Sequence, residues 1–129
     1  MPRTTILLPL ALGLTMAPAG PLRAAEQVAS SGPAAMAVTV VNVEYEGSKM
    51  WLPGTIAVPR GTKVTIKLVN NVPSDPAQHG FAIPAYNVQE IVNRGEPKTV
   101  EFTADKAGVF PIICQLHPAH VGGQLVVLP

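Results

Sequence analysis

Residues 63–69 read Lys-Val-Thr-Ile-Lys-Leu-Val. In an extended chain, successive side chains point to opposite faces. Val64, Ile66 and Leu68 therefore fall on one face, and Lys63, Thr65 and Lys67 on the other. Period-two alternation with an apolar face reads as a half-buried strand. The same pattern recurs at 98–103, where Val100 and Phe102 face inward and Thr99, Glu101 and Thr103 outward. At 109–114, Phe110, Ile112 and Cys114 share a face, and at 124–128 Leu125 and Val127 do. Shorter strands are expected at 38–45, 55–58, 79–83 and 89–92. Pro53-Gly54, Arg60-Gly61 and residues 105–108 supply turns, and residues 70–78 form a loop rich in Asn, Pro, Ser and Asp. Fourteen prolines and eleven glycines argue against helices. Seven or eight short strands without a convincing helix make a small all-β domain, an antiparallel Greek-key β-sandwich.

The first 25 residues have another character. Arg3 opens them, residues 6–19 are apolar, and Leu22-Arg23-Ala24-Ala25 offers small residues for cleavage. This is the pattern of a secretory signal peptide. The apolar run, broken by Pro9 and Pro18, is shorter than the roughly 20 residues of a membrane-spanning helix. Residues 1–25 are thus expected to be removed, 26–35 to form a flexible arm, and 36–129 to fold as one domain. The mature chain is expected in the periplasm or outside the cell, without stable membrane insertion. With neither a twin arginine nor a cysteine near the cleavage site, general secretion without a lipid anchor is expected.

Only 13 % of the chain is charged, about half the roughly 25 % of an average domain. The formal net charge of +1 falls to −1 once Arg3 and Arg23 leave. No basic field exists to hold a nucleic-acid backbone. One cysteine excludes an intramolecular disulfide framework and a C-x-x-C-H haem attachment. In an oxidising compartment a lone free thiol is a liability, so Cys114 needs a role.

That role is suggested by its neighbours, Cys114-Gln-Leu-His117-Pro-Ala-His120. The remaining histidine, His79, lies 35 residues upstream on a separate strand. Taken singly, a cysteine is ordinarily a small buried hydrophobe and a histidine a surface residue. Here every Cys and His of the mature chain falls where one site can use it. A thiolate with imidazoles suits copper or zinc, not magnesium or calcium. A Cys–His nucleophile would need an orienting third residue and a cleft, for which a small sandwich has little room. Pro118 stiffens the loop, and Gly122-Gly123 turns it into the last strand. Trp51, beside Met50, is expected in the core, and Phe81 and Phe110 near the metal. Asn70 or Asn71 is a candidate to brace the metal loop by a hydrogen bond, and a turn role for either fits equally well. The glutamates are scattered on outward positions, with no catalytic pair among them.

From His79 to Val127 the sequence resembles the cupredoxins, the small blue-copper family, and within them the nitrosocyanin-like branch. Gly80-Phe81-x-Ile83, Val88-Gln89-Glu90, the run FTADKAG at 102–108 and CQLHP at 114–118 carry the likeness. The resemblance implies one copper ion per chain, with His79, Cys114 and His117 matching three family ligands. The family's usual methionine after the cysteine loop is absent, and His120 matches the second loop histidine of the branch. Nitrosocyanin itself places a Glu where this chain has His79. The resemblance implies an electron carrier, not an enzyme, with a redox partner protein. Copper tolerance or delivery, and reactivity toward small molecules such as nitric oxide, are the competing expectations. The residues leave the oligomeric state open.

Overall fold

The computed structural model describes residues 34–129, so the leader and nearly all of the arm lie outside the described residues. Nine strands follow: β1 (Ala35–Tyr45), β2 (Ser48–Leu52), β3 (Thr55–Pro59), β4 (Thr62–Asn70), β5 (Gln78–Ile83), β6 (Val88–Asn93), β7 (Lys98–Ala104), β8 (Gly108–Ile112) and β9 (Gly123–Leu128). One 3₁₀ turn, Pro84–Tyr86, joins β5 to β6. The all-β sandwich expected from the alternation is the fold observed.

The alternating segments bury the faces assigned to them. Val64, Ile66 and Leu68 are fully buried, as are Leu125 and, almost, Val127. One sheet runs β2-β1-β4-β7, a second β3-β9-β8, and a third pairs β5 with β6. Val40, Ile66 and Val100 from the first sheet, Ile56, Ile112 and Leu125 from the second, and Phe81 and Val92 from the third share one core.

Two pairs run parallel: β1 with β4 (Val38 opposite Ile66) and β3 with β9 (Ile56 opposite Leu125). The sandwich is therefore mixed in strand direction. Side-chain alternation is the same in parallel and antiparallel strands, so the pattern fixes the buried face and not the direction. The β2 strand, absent from the sequence reading, pairs with β1 through Asn42 opposite Trp51. A left-handed Glu46 and Gly47 make the turn between them. Phe110 does not join the histidines but packs edge-on against Tyr86 at 5.2 Å, and Tyr86 in turn lies on Phe102.

The strand that carries His79 is held from behind by Asn70. This buried side chain donates from Nδ2 to the carbonyls of Ala77 and Val92, both at 3.0 Å, and accepts at Oδ1 from the amide of Val72 at 3.1 Å. One amide thus closes the 71–77 loop and ties it to β6. Arg94 clamps the same loop from outside, donating to the carbonyls of Val72 and Ser74 at 2.7 Å each. These bonds go to residues 72, 77 and 92 and not to the 114–121 loop, so Asn70 plays the turn role and steadies the strand of His79, not the ligand loop.

Replacing Asn70 by Ala leaves three backbone groups without their partner. Each buried orphan costs about 1–3 kcal/mol. Asn70→Ala is expected to lower stability by about 3 kcal/mol, read from the urea midpoint of the metal-free protein.

Candidate metal centre

His79, Cys114, His117 and His120 come together at one end of the sandwich. One donor atom from each lies within 4.8 Å of all the others. His79 is fully buried on β5, and Cys114 is 7 % exposed. The loop histidines are half-buried. Ring centroids are 5.2 Å apart for His79 and His117, 4.6 Å for His79 and His120, and 5.5 Å for the loop pair.

The local chain explains this convergence. Ile113 exchanges two backbone hydrogen bonds with Ala82, at 2.9 and 3.0 Å, which docks the end of β8 onto β5. Cys114 lies just beyond β8, and its Sγ accepts the amide of Gly80 at 3.2 Å. Two successive turns follow. The amide of His117 bonds the Cys114 carbonyl at 3.3 Å, and that of His120 bonds the His117 carbonyl at 3.1 Å. Each turn brings the next donor back to the same side. The amide of Val121 then bonds the Lys49 carbonyl at 2.9 Å, anchoring the loop to β2.

Gly80 is the close approach that makes this possible. A Cβ there would strike the Gln115 side-chain amide and come within 3.0 Å of the Gln115 backbone nitrogen. Gln115 in turn donates from Nε2 to the Glu90 carbonyl at 3.0 Å. On its other side Gly80 offers its carbonyl to Trp51 Nε1 at 2.8 Å. The Trp51 ring is buried and meets Phe81 edge-on at 5.4 Å, as its core reading implies.

Burial and charge prepare the imidazoles. Neither ring nitrogen of His79 or of His120 has a hydrogen-bond partner, although all four atoms are buried. His79 is pushed from 6.5 down to about 4, first by burial, then by repulsion from His120, His117, Lys49 and Arg94. His120 is lowered too, by burial first and then by His117 and Lys49. Neutral imidazoles are the form that binds metal.

The chain matches the family described as Cupredoxin-like domain over residues 10–127. It belongs to that family.

Among its relatives is a nitrous-oxide reductase of Cupriavidus necator, 49 % identical over 55 residues, or 43 % of this chain and 9 % of that protein. A cytochrome c oxidase subunit 2 of Thermus thermophilus is 30 % identical over 90 residues, 70 % of this chain and 61 % of that protein. The chain thus spans under two thirds of the length of either relative. Among solved structures, dithionite-reduced auracyanin of Roseiflexus castenholzii superposes with a TM-score of 0.59 at 18 % identity, covering 74 % of this chain and 99 % of that one.

Copper fits this cupredoxin's donor set. One soft sulfur and three imidazoles suit it, and the neutral rings of His79 and His120 each keep an acceptor nitrogen that the protein itself leaves unused. Copper is the cofactor of the domain. Among the described residues, no helix is long and apolar enough to cross a membrane.

Three residues of the centre escaped the sequence reading. Gly80 had a signal, since a glycine inside a strand marks a close backbone approach. Gln115 and Lys49 had none, because their positions depend on how loop and sheet meet. Lys49, with Pro76 and Ala119, borders a cavity of about 190 Å³ that the three histidines also line.

Two outcomes are expected of the metal-free protein. Its unfolded chain takes up a proton on His79 near 6.5, and its folded form only near 4. Between these values the unfolded state binds more protons, so stability falls as pH falls. The melting temperature should decline from about pH 6.5 to about pH 4, with His79→Ala flattening the slope. Gly80→Ala should cost about 1–3 kcal/mol by overpacking in urea unfolding.

Proposed function

We propose that this cupredoxin carries single electrons between redox partner proteins outside the cytoplasm, and that it is not itself an enzyme. The observation that carries the reading is the preassembled set of one sulfur and three imidazole donors within 4.8 Å. His79, Cys114 and His117 hold the copper, and His120 supplies the fourth ligand, as in the nitrosocyanin-like pattern. When bound, copper supplies a one-electron couple.

The residues around it do the rest. His79 is fixed on β5, and Cys114 is pinned by the Gly80 amide, so the donors need not rearrange when charge changes. Such a rigid, closed centre suits outer-sphere electron transfer. Leu116 and Val121 are exposed beside the half-buried His117 and His120. They offer an apolar face for a partner to dock, which fits a chain with little net charge to steer it. An imidazole between ion and surface is the route for the electron. The leader-like residues 1–25 support export to the periplasm or beyond.

A second reading rests on the cavity bordered by Lys49. A small molecule bound there would lie beside the histidines, and the site would react with it instead of only passing electrons. The two readings differ at His120.

The domain from residue 26, loaded with Cu(II), should show an intense thiolate-to-copper absorption band that reductant bleaches reversibly. Cys114→Ser should abolish the band. His120→Ala should shift the band and the potential strongly if the centre is closed. A His120→Ala protein indistinguishable from wild type would instead support the open, reactive site. A colourless protein that retains one metal would overturn both readings.

A further inference from the structure

Along the outer edge of β5 the hydrogen bonding changes hands. Ala82 exchanges both backbone bonds with Ile113. Two residues earlier, at Gly80, the chain that should continue this pairing has already turned away into the ligand loop. Gly80 faces two side chains there instead. Its amide donates to Cys114 Sγ at 3.2 Å, and its carbonyl accepts from Trp51 Nε1 at 2.8 Å. The indole N–H therefore stands in for the missing backbone donor at the position next to the thiolate.

We propose that Trp51 is a positioning residue for the metal centre, holding the Gly80 amide on the Cys114 sulfur and thereby setting the reduction potential. The inference rests on the copper–thiolate reading above. Gly80 has no Cβ to restrain its backbone, and glycine moves between conformations more freely than any other residue. Anchoring its carbonyl fixes the orientation of the residue and so the direction of its N–H. The anchor is itself immobile: Trp51 is 4 % exposed and wedged edge-on against Phe81. Hydrogen bonding around a ligating cysteine sulfur is a recognised control on reduction potential. A donor aimed at the sulfur stabilises the more electron-rich, reduced centre, because in the oxidised centre the sulfur has already given density to the metal. Loosening the amide should therefore make the bound Cu(II) harder to reduce.

The chain contains one tryptophan, so feeding an analogue to a tryptophan auxotroph changes this position alone. Benzothienylalanine keeps the shape of the ring and replaces the N–H by sulfur. 5-Fluorotryptophan keeps the N–H. Copper-loaded full-length protein is titrated against redox mediators, and its thiolate absorption band is recorded. The benzothienylalanine protein should favour the oxidised form by about threefold relative to wild type, the effect of losing roughly a third of a charge-assisted hydrogen bond, with a shifted band. The fluorotryptophan protein should match wild type. Trp51→Phe should follow benzothienylalanine, and if that variant fails to fold the two analogues decide alone. An unchanged potential with benzothienylalanine, or an equal shift with both analogues, would overturn the inference while leaving the copper reading intact. A wild-type protein without the thiolate band would overturn both.

Discussion

The most demanding feature of the molecule is a pair of buried imidazoles whose ring nitrogens are satisfied by no group of the protein itself. His79 and His120 each bury two ring nitrogens without a partner in the protein. A buried polar group left unsatisfied costs about 1–3 kcal/mol, and domains of this size have only about 5–15 kcal/mol of net stability. A fold that holds such groups in place must be over-determined around them. It must also keep the rings neutral, since two charged imidazoles with centroids 4.6 Å apart would repel. The lowered proton affinities of both rings follow from that burial and crowding.

The sandwich supplies the over-determination. The same core that buries Ile66 and Leu125 also buries Phe81, one residue beyond Gly80 on β5. Asn70 fixes the entry to that strand, Ile113 fixes the exit from β8, and Lys49 receives the end of the ligand loop through its carbonyl. The centre is thus hung from three separate pairings. A shift of any one would move a donor relative to the others. Glu44 adds a lighter tie: it accepts from Ser74 Oγ at 2.5 Å and pairs with Lys49 at 3.8 Å, linking β1, β2 and the 71–77 loop.

Much of this was legible in the residues. The alternation at 63–69 gives β4 and its buried face, and the spacing of Cys114, His117 and His120 gives the donor loop. Both signals are local: each depends on residues a few positions apart, whose geometry the backbone fixes. What the sequence hides is non-local. Strand direction leaves no mark on alternation, so the parallel β1–β4 and β3–β9 pairs are invisible. The β2 strand holds Lys49, Met50 and Trp51 at an edge, where burial is mixed and the period blurs. Phe110 has the core's parity and packs against the core, but beside Tyr86 and not beside the histidines, because parity assigns a face and not a position along it.

Cys114 also bears on how the protein ages. Its thiol is 7 % exposed and engaged by the Gly80 amide in the folded chain. It is also the only thiol present, so no internal partner can capture it when the fold opens. In an oxidising medium an opened chain can then be trapped by a covalent link to another opened chain. Each such link would be a lasting trace of an unfolding event that would otherwise have reversed. The durability of the population would be set by how rarely β5 and β8 part, and the fraction of cross-linked dimer would record it.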